Sequence, residues 1–212
     1  MKQKRINNIL LTLVLLISSY VSFSQKQIFN DLQYIYISAF RNSFSQWIEC
    51  NQNFSLKDFQ LFKSQPFENL KFEAFSELRN FLNVYKKINY YSPNNSKFLD
   101  LFSYELNLKL KNGKIVYQGS ESDQAISFCN LRKKTWDRIF FCGSNLRIDD
   151  AIWLSNNNFI LVGILRDNTI QPLIIVGDIT KAQLYEYKSI NKKCIQKQKY
   201  LSKKLKDIDI KY

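Results

Sequence analysis

The chain has 212 residues, with 31 lysines and arginines against 18 aspartates and glutamates, and no histidine. Without histidine, Ser-His-Asp and Cys-His catalysis and histidine-based metal sites are excluded, and the five glycines, at 113, 119, 143, 163 and 177, compose no phosphate-cradling loop. The formal charge of +13 is unevenly placed: three positive charges precede residue 25, residues 188–212 hold nine lysines against two aspartates, and residues 25–187 carry only +3.

The opening residues, MKQKRINNILLTLVLLISSYVSFSQ, set Lys2, Lys4 and Arg5 ahead of an apolar run from Ile9 to Ile17, with small residues at Ser22 and Ser24. That order is a secretory signal, and the run is shorter than the roughly 20 apolar residues that span a bilayer. Residues 1–24 are therefore read as a signal peptide cleaved after Ser24, and the protein as secreted or periplasmic. No cysteine follows the run until Cys50, so the cleavage point lacks the cysteine of a lipoprotein signal.

Residues 27–50 place Ile28, Leu32, Ile35, Ala39, Phe40, Trp47 and Ile48 at spacings that describe one helix face. A short helix is expected from Ser55, whose hydroxyl can cap it, with Asp58 three residues on. A longer helix is expected to follow, with Pro66 in its first turn and a stripe of Leu70, Ala74, Leu78, Phe81, Leu82, Tyr85 and Ile88, ending before Pro93.

From Phe98 the period changes to two. Tyr104, Leu106, Leu108 and Leu110 alternate with polar residues, and Asn112-Gly113 predicts a type I′ hairpin turn into Ile115-Val116-Tyr117. Further strands are read in QAISFCN, TWDRIFF, IDDAIWL, NFILVGIL, QPLIIVG and QLYEYK, and the unbroken apolar runs of NFILVGIL and QPLIIVG predict burial on both faces. Residues 125–131 align with 173–179 at an offset of 48, a spacing similar to that of β-propeller blades, although no WD or kelch signature is present.

The expected fold is thus α+β. A helical segment over residues 25–95 packs on an antiparallel β-meander of about eight strands over residues 96–190, arranged as two four-stranded blade-like units in one domain. Residues 191–212 form a basic C-terminal tail, which reads either as an edge strand through Ile208, Ile210 and Tyr212 or as an amphipathic helix drawn to a membrane surface. The four cysteines, Cys50, Cys129, Cys142 and Cys194, allow disulfides in an exported chain. Cys129 is expected opposite Asp137, too far along the hairpin from Cys142 to bridge; Cys50–Cys194 is the candidate bond, with free buried thiols as the alternative.

Asp149 and Asp150 invite a catalytic reading. In an extended strand, however, adjacent side chains point to opposite faces, so the pair is expected at the strand entry, capping a turn or pairing with Arg147 or Arg138. No catalytic residue, metal ligand or cofactor is assigned. Trp136 and Trp153, near turns, are the candidate binding anchors together with Asp149 and Asp150, and core packing is the other use for each tryptophan. The expected function is a non-enzymatic binding module for a protein or glycan, with no nucleic-acid partner. Its rival is a carboxylate-dependent polysaccharide hydrolase using some of Glu121, Asp123, Asp149 and Asp150.

Overall fold

A computed structural model describes residues 40–51, 54–166, 169–190 and 200–207, in two compact units, Met1–Ser43 and Phe44–Tyr212. All the elements from Ser45 onward belong to the second unit. The expected signal segment, most of the first expected helix, Cys194 and the alternating end of the tail lie outside the described residues.

In chain order the elements are α1 (Ser45–Cys50), β1 (Phe59–Pro66), β2 (Leu70–Lys71), α2 (Leu78–Tyr85), β3 (Tyr90–Tyr91) and β4 (Lys97–Asp100). The hairpin β5 (Leu106–Lys111) and β6 (Lys114–Ser120) follows, then β7 (Gln124–Asn130), β8 (Thr135–Cys142), β9 (Leu146–Trp153), β10 (Asn158–Arg166), β11 (Ile170–Asp178), β12 (Gln183–Ser189) and α3 (Tyr200–Asp207). The protein is mostly antiparallel sheet with few helices. One sheet has the order β1-β12-β11-β10-β9, the other β2-β8-β7-β4-β3, and β5-β6 stands apart as a two-stranded ribbon. Among the described residues no helix is long and apolar enough to cross a membrane.

Two expectations fail in the segment before residue 96. Ser55 starts only a single 3-10 turn, Leu56–Asp58, and its side chain makes no cap. The helix expected from Pro66 shrinks to Leu78–Tyr85. Residues 59–66 instead pair with β12, and Pro66, which has no amide to donate, ends this edge strand. Asn69, at φ 52, then breaks any helical run. The apolar stripe had a helical period, but its first residue, Leu70, is half exposed in β2.

The hairpin is as expected, with Asn112 and Gly113 at φ 51 and 74, the left-handed pair that a type I′ turn requires. β10 and β11 are buried along nearly their whole length, as continuous apolar strands covered on both faces should be. On the inner face, Phe128, Phe140, Trp153, Phe159, Leu161, Leu173 and Ile175 join the two sheets in one core, which also takes Leu106 and Leu108 from the ribbon and Leu201 and Leu205 from α3. The Gln124 side chain ties the sheets together: Nε2 donates to Leu101 O (2.8 Å) and Ile148 O (2.9 Å), and Oε1 accepts from Ile148 N (2.8 Å). A second, smaller core lies under α2, where Leu78, Phe98, Cys129 and Trp136 are buried.

Cys129 faces Trp136 rather than Asp137, because the turn at residues 131–134 pairs Asn130 with Thr135, and a bulge between Ile126 and Ser127 then moves the register by one residue so that Cys142 faces Gln124. Both thiols are free and buried, one in each core. Burial pushes the Cys129 thiol up to about 12 and raises that of Cys142 further, so neither offers a thiolate.

Candidate functional site

Asp149 and Asp150 do not stand at the strand entry. They sit in the middle of β9 at 2 % and 5 % exposure, and a bulge overturns the expectation that they face opposite ways. Ile148 pairs with Gly163 and Asp150 with Val162, so Asp149 is an extra residue on its strand. Ile148, Ala151 and Trp153 all reach the shared core, which leaves both carboxylates on the outer face. Gly163 is what permits this. A Cβ there would lie 2.1 Å from Arg147 O and 2.9 Å from Ile148 Cα.

Asp150 is the hub of a buried cluster. Its Oδ1 accepts from Tyr90 OH (2.5 Å), from Ala151 N (2.9 Å) and from Lys204 Nζ, while Oδ2 accepts from Tyr200 OH. Lys204 also donates to the Tyr90 hydroxyl oxygen. Burial lowers the Lys204 pKa, against the pull of Asp150, and raises that of Tyr90 well above its usual value. One lysine and one tyrosine of the basic tail, Lys204 and Tyr200, are therefore used internally to hold α3 on an acid of β9. Asp149 accepts from Trp47 Nε1 of α1 (3.1 Å) and lies 3.7 Å from Arg147 Nε. Burial raises its pKa to about 6, against the opposing effects of Arg147 and the Trp47 hydrogen bond. Arg147 reaches on to Glu105 Oε1 at 2.8 Å.

These acids are enclosed by protein. Glu121 is exposed, and the half-buried Asp123 has Ser122 Oγ at 3.5 Å. None of the four proposed hydrolytic carboxylates lines the cleft between the two sheets or the groove along α2. Trp136 and Trp153 are also internal: Trp136 Nε1 donates to Ser127 Oγ (2.9 Å) and Trp153 Nε1 to Tyr90 O (2.8 Å). Core packing, the other use considered, is where the fold places both.

The open polar site lies elsewhere. Where the two sheets part, a cleft of about 300 Å³ is lined from β1, from every strand from β8 to β12 and from neighbouring loops, and it holds two carboxylates, Glu68 and Glu186. On β12, Leu184, Glu186 and Lys188 share the inward face: Leu184 enters the core, Glu186 forms part of the cleft wall and Lys188 stands at its rim. The Glu186 side chain is 4 % exposed, and its Oε1 lies 3.1 Å from Lys63 Nζ, whose side chain is 46 % exposed. That geometry is an ion pair but lacks the direction of a hydrogen bond, so among the described residues Oε1 has no hydrogen-bond partner. At a bulge between Leu61 and Lys63, Phe62 lines the cleft at 58 % exposure, and Lys188 Nζ sits 3.4 Å from its ring centroid. Beside them Arg138 bonds Glu68 (2.6 Å) and lies over Phe141 at 5.1 Å. A groove of about 470 Å³ along α2 carries Arg79 and Lys86 but no acid.

Sequence reasoning passed over Glu186, Lys63 and Phe62. The only signal was a charged residue inside QLYEYK, and Tyr185 and Tyr187 made the opposite face look like the buried one. The chain matches no protein-family model, and no curated protein or solved structure is significantly similar to it.

Proposed function

We propose that the protein is an exported, non-enzymatic binding module that takes its ligand, a protein segment or a glycan, in the cleft where the two sheets part. The observation that carries this reading is the cleft itself: an exposed Phe62 beside an inward-facing, nearly buried Glu186, at the low end of the size range of ligand pockets. A buried charge held by one half-exposed lysine costs stability that an apolar residue would not, which is the mark of a position kept for recognition. Export rests on the charged, apolar and small-residue order of residues 1–24.

The 48-residue repeat supports a reading of the sheets as two related blade-like units. Its copies fall on β7 and β11, each the central strand of its sheet, each followed by the next strand outward and then by an edge strand from the N-terminal region. The cleft lies between the two units, a usual place for a ligand site. The hydrolase alternative needs two carboxylates facing one cleft, and Asp149 and Asp150 lend it no support because protein groups cover both.

The test is a screen of the chain from residue 25 onward against glycan and peptide arrays, beside a Phe62→Ser variant with unchanged circular dichroism. Ligands whose signal falls at least tenfold in the variant identify the cleft as the site. An identical binding profile in the two proteins overturns the reading, as would polysaccharide cleavage abolished by Asp149→Asn or Asp150→Asn.

A further inference from the structure

The cleft has a chemical preference written into it. Position 186 faces inward between Leu184 and Lys188 and pairs across the sheet with Ile175 on β11 and Lys63 on β1. Such a position ordinarily holds an apolar side chain, yet it holds a carboxylate with an oxygen that accepts no directed hydrogen bond. Its counter-charge comes from an edge strand, from a side chain that is nearly half exposed and can return to water with little loss. The surrounding rings already hold cations, Lys188 on Phe62 and Arg138 on Phe141.

From this, and resting on the binding-module reading above, we propose that the cleft receives a primary ammonium group on an alkyl stem, as in a lysine side chain of a partner protein, which displaces Lys63 from Glu186. The stem lies along Phe62, Phe140 and Phe141, and the ammonium takes the place that Lys63 Nζ now holds. Exchanging one ammonium for another leaves the charge at Glu186 compensated throughout, so the affinity comes from burying the stem and from a better aligned hydrogen bond to Oε1. An anionic ligand is disfavoured here because its charge would lie against the buried Glu186 carboxylate. A cleft of about 300 Å³ suits one side chain better than several sugar rings.

The test uses the chain from residue 25 onward and four probes in isothermal titration: an end-blocked Ala-Ala-Lys-Ala-Ala peptide, its Nε-acetylated form, a glucosamine oligomer and a neutral N-acetylglucosamine oligomer. The wild-type protein is expected to bind the lysyl peptide, at least tenfold more weakly after Nε-acetylation and at least tenfold more weakly in Glu186→Gln, as for the loss of a charged hydrogen bond. Lys63→Ala, an exposed change that removes the competitor, is expected to bind the lysyl peptide about tenfold more tightly. Equal binding of the acetylated peptide, or no effect of Glu186→Gln, overturns the proposal. So does binding seen only in Lys63→Ala, which would make the pair a purely internal ion pair. Glu186-dependent binding of the glucosamine oligomer without the peptide overturns the lysine source. Phe62-dependent binding of the neutral oligomer alone overturns the ammonium while keeping the cleft as a binding site, and loss of all binding overturns both.

Discussion

Asp149 should impose a pH dependence of defined sign on stability. Burial raises its pKa from 3.8 to about 6 in the folded protein. The folded chain therefore binds more protons than the unfolded chain between those values. The stabilising contribution is complete below the unfolded value and is lost as pH rises through the folded one. A shift of about two units at 1.36 kcal/mol each amounts to about 3 kcal/mol, and the attraction of Arg147 is already inside that figure. Asp149→Asn keeps an acceptor for Trp47 Nε1–H and cannot titrate, so it isolates the effect. Urea unfolding of both proteins, followed by tryptophan fluorescence between about pH 4 and pH 8, should show the wild type losing about 3 kcal/mol relative to the variant as pH rises. The variant should be the more stable protein at the alkaline end. A difference that stays flat within about 0.5 kcal/mol, or that grows in favour of the wild type with pH, would refute the placement of Asp149 as a desolvated carboxylate.

Removing the cation that holds α3 should be costly. Lys204→Met leaves Asp150 charged and buried with only its tyrosine and backbone donors, and thermal unfolding should show a loss of about 3 kcal/mol. Adding Asp150→Asn should restore most of it; a single-variant loss under about 0.5 kcal/mol would contradict the docking. Gly163→Ala should destabilise by more than about 3 kcal/mol, since its Cβ would strike Arg147 O, whereas Gly143→Ala, whose nearest neighbour is 3.7 Å away, should change stability by no more than about 0.5 kcal/mol. Cys129 and Cys142 should resist a thiol-specific disulfide reagent in the native protein and react together on unfolding; native-state labelling of either would show that its core is open.

Local information was enough for the parts of this protein that local interactions govern. Asn112-Gly113 names its own turn, because few residues tolerate two consecutive positive φ angles. The apolar runs of β10 and β11 announce strands buried on both faces, because runs this short and this rich in Ile and Val suit a strand covered on two sides better than a buried helix. Residues 59–77 misled for the complementary reason. Their spacing suits a helix, but β1 exists because β12, more than a hundred residues away, supplies its hydrogen bonds.

The site was legible only in fragments. Asp149 and Asp150 stood out as a pair, and Lys204 and Tyr200 as part of a basic tail, yet nothing local joins Lys204 to an acid 54 residues earlier. The bulge at Asp149 is permitted by Gly163 on the facing strand, and the bulge at Phe62 shows only in the pairing of β1 with β12. A one-residue slip reverses which face a side chain serves. So the sequence alone determined the strand-rich class, the tight turn and the missing histidine chemistry. Only the tertiary structure decided which carboxylates are covered and which, Glu68 and Glu186, line the open cleft, because facing depends on register and register is a property of two strands together.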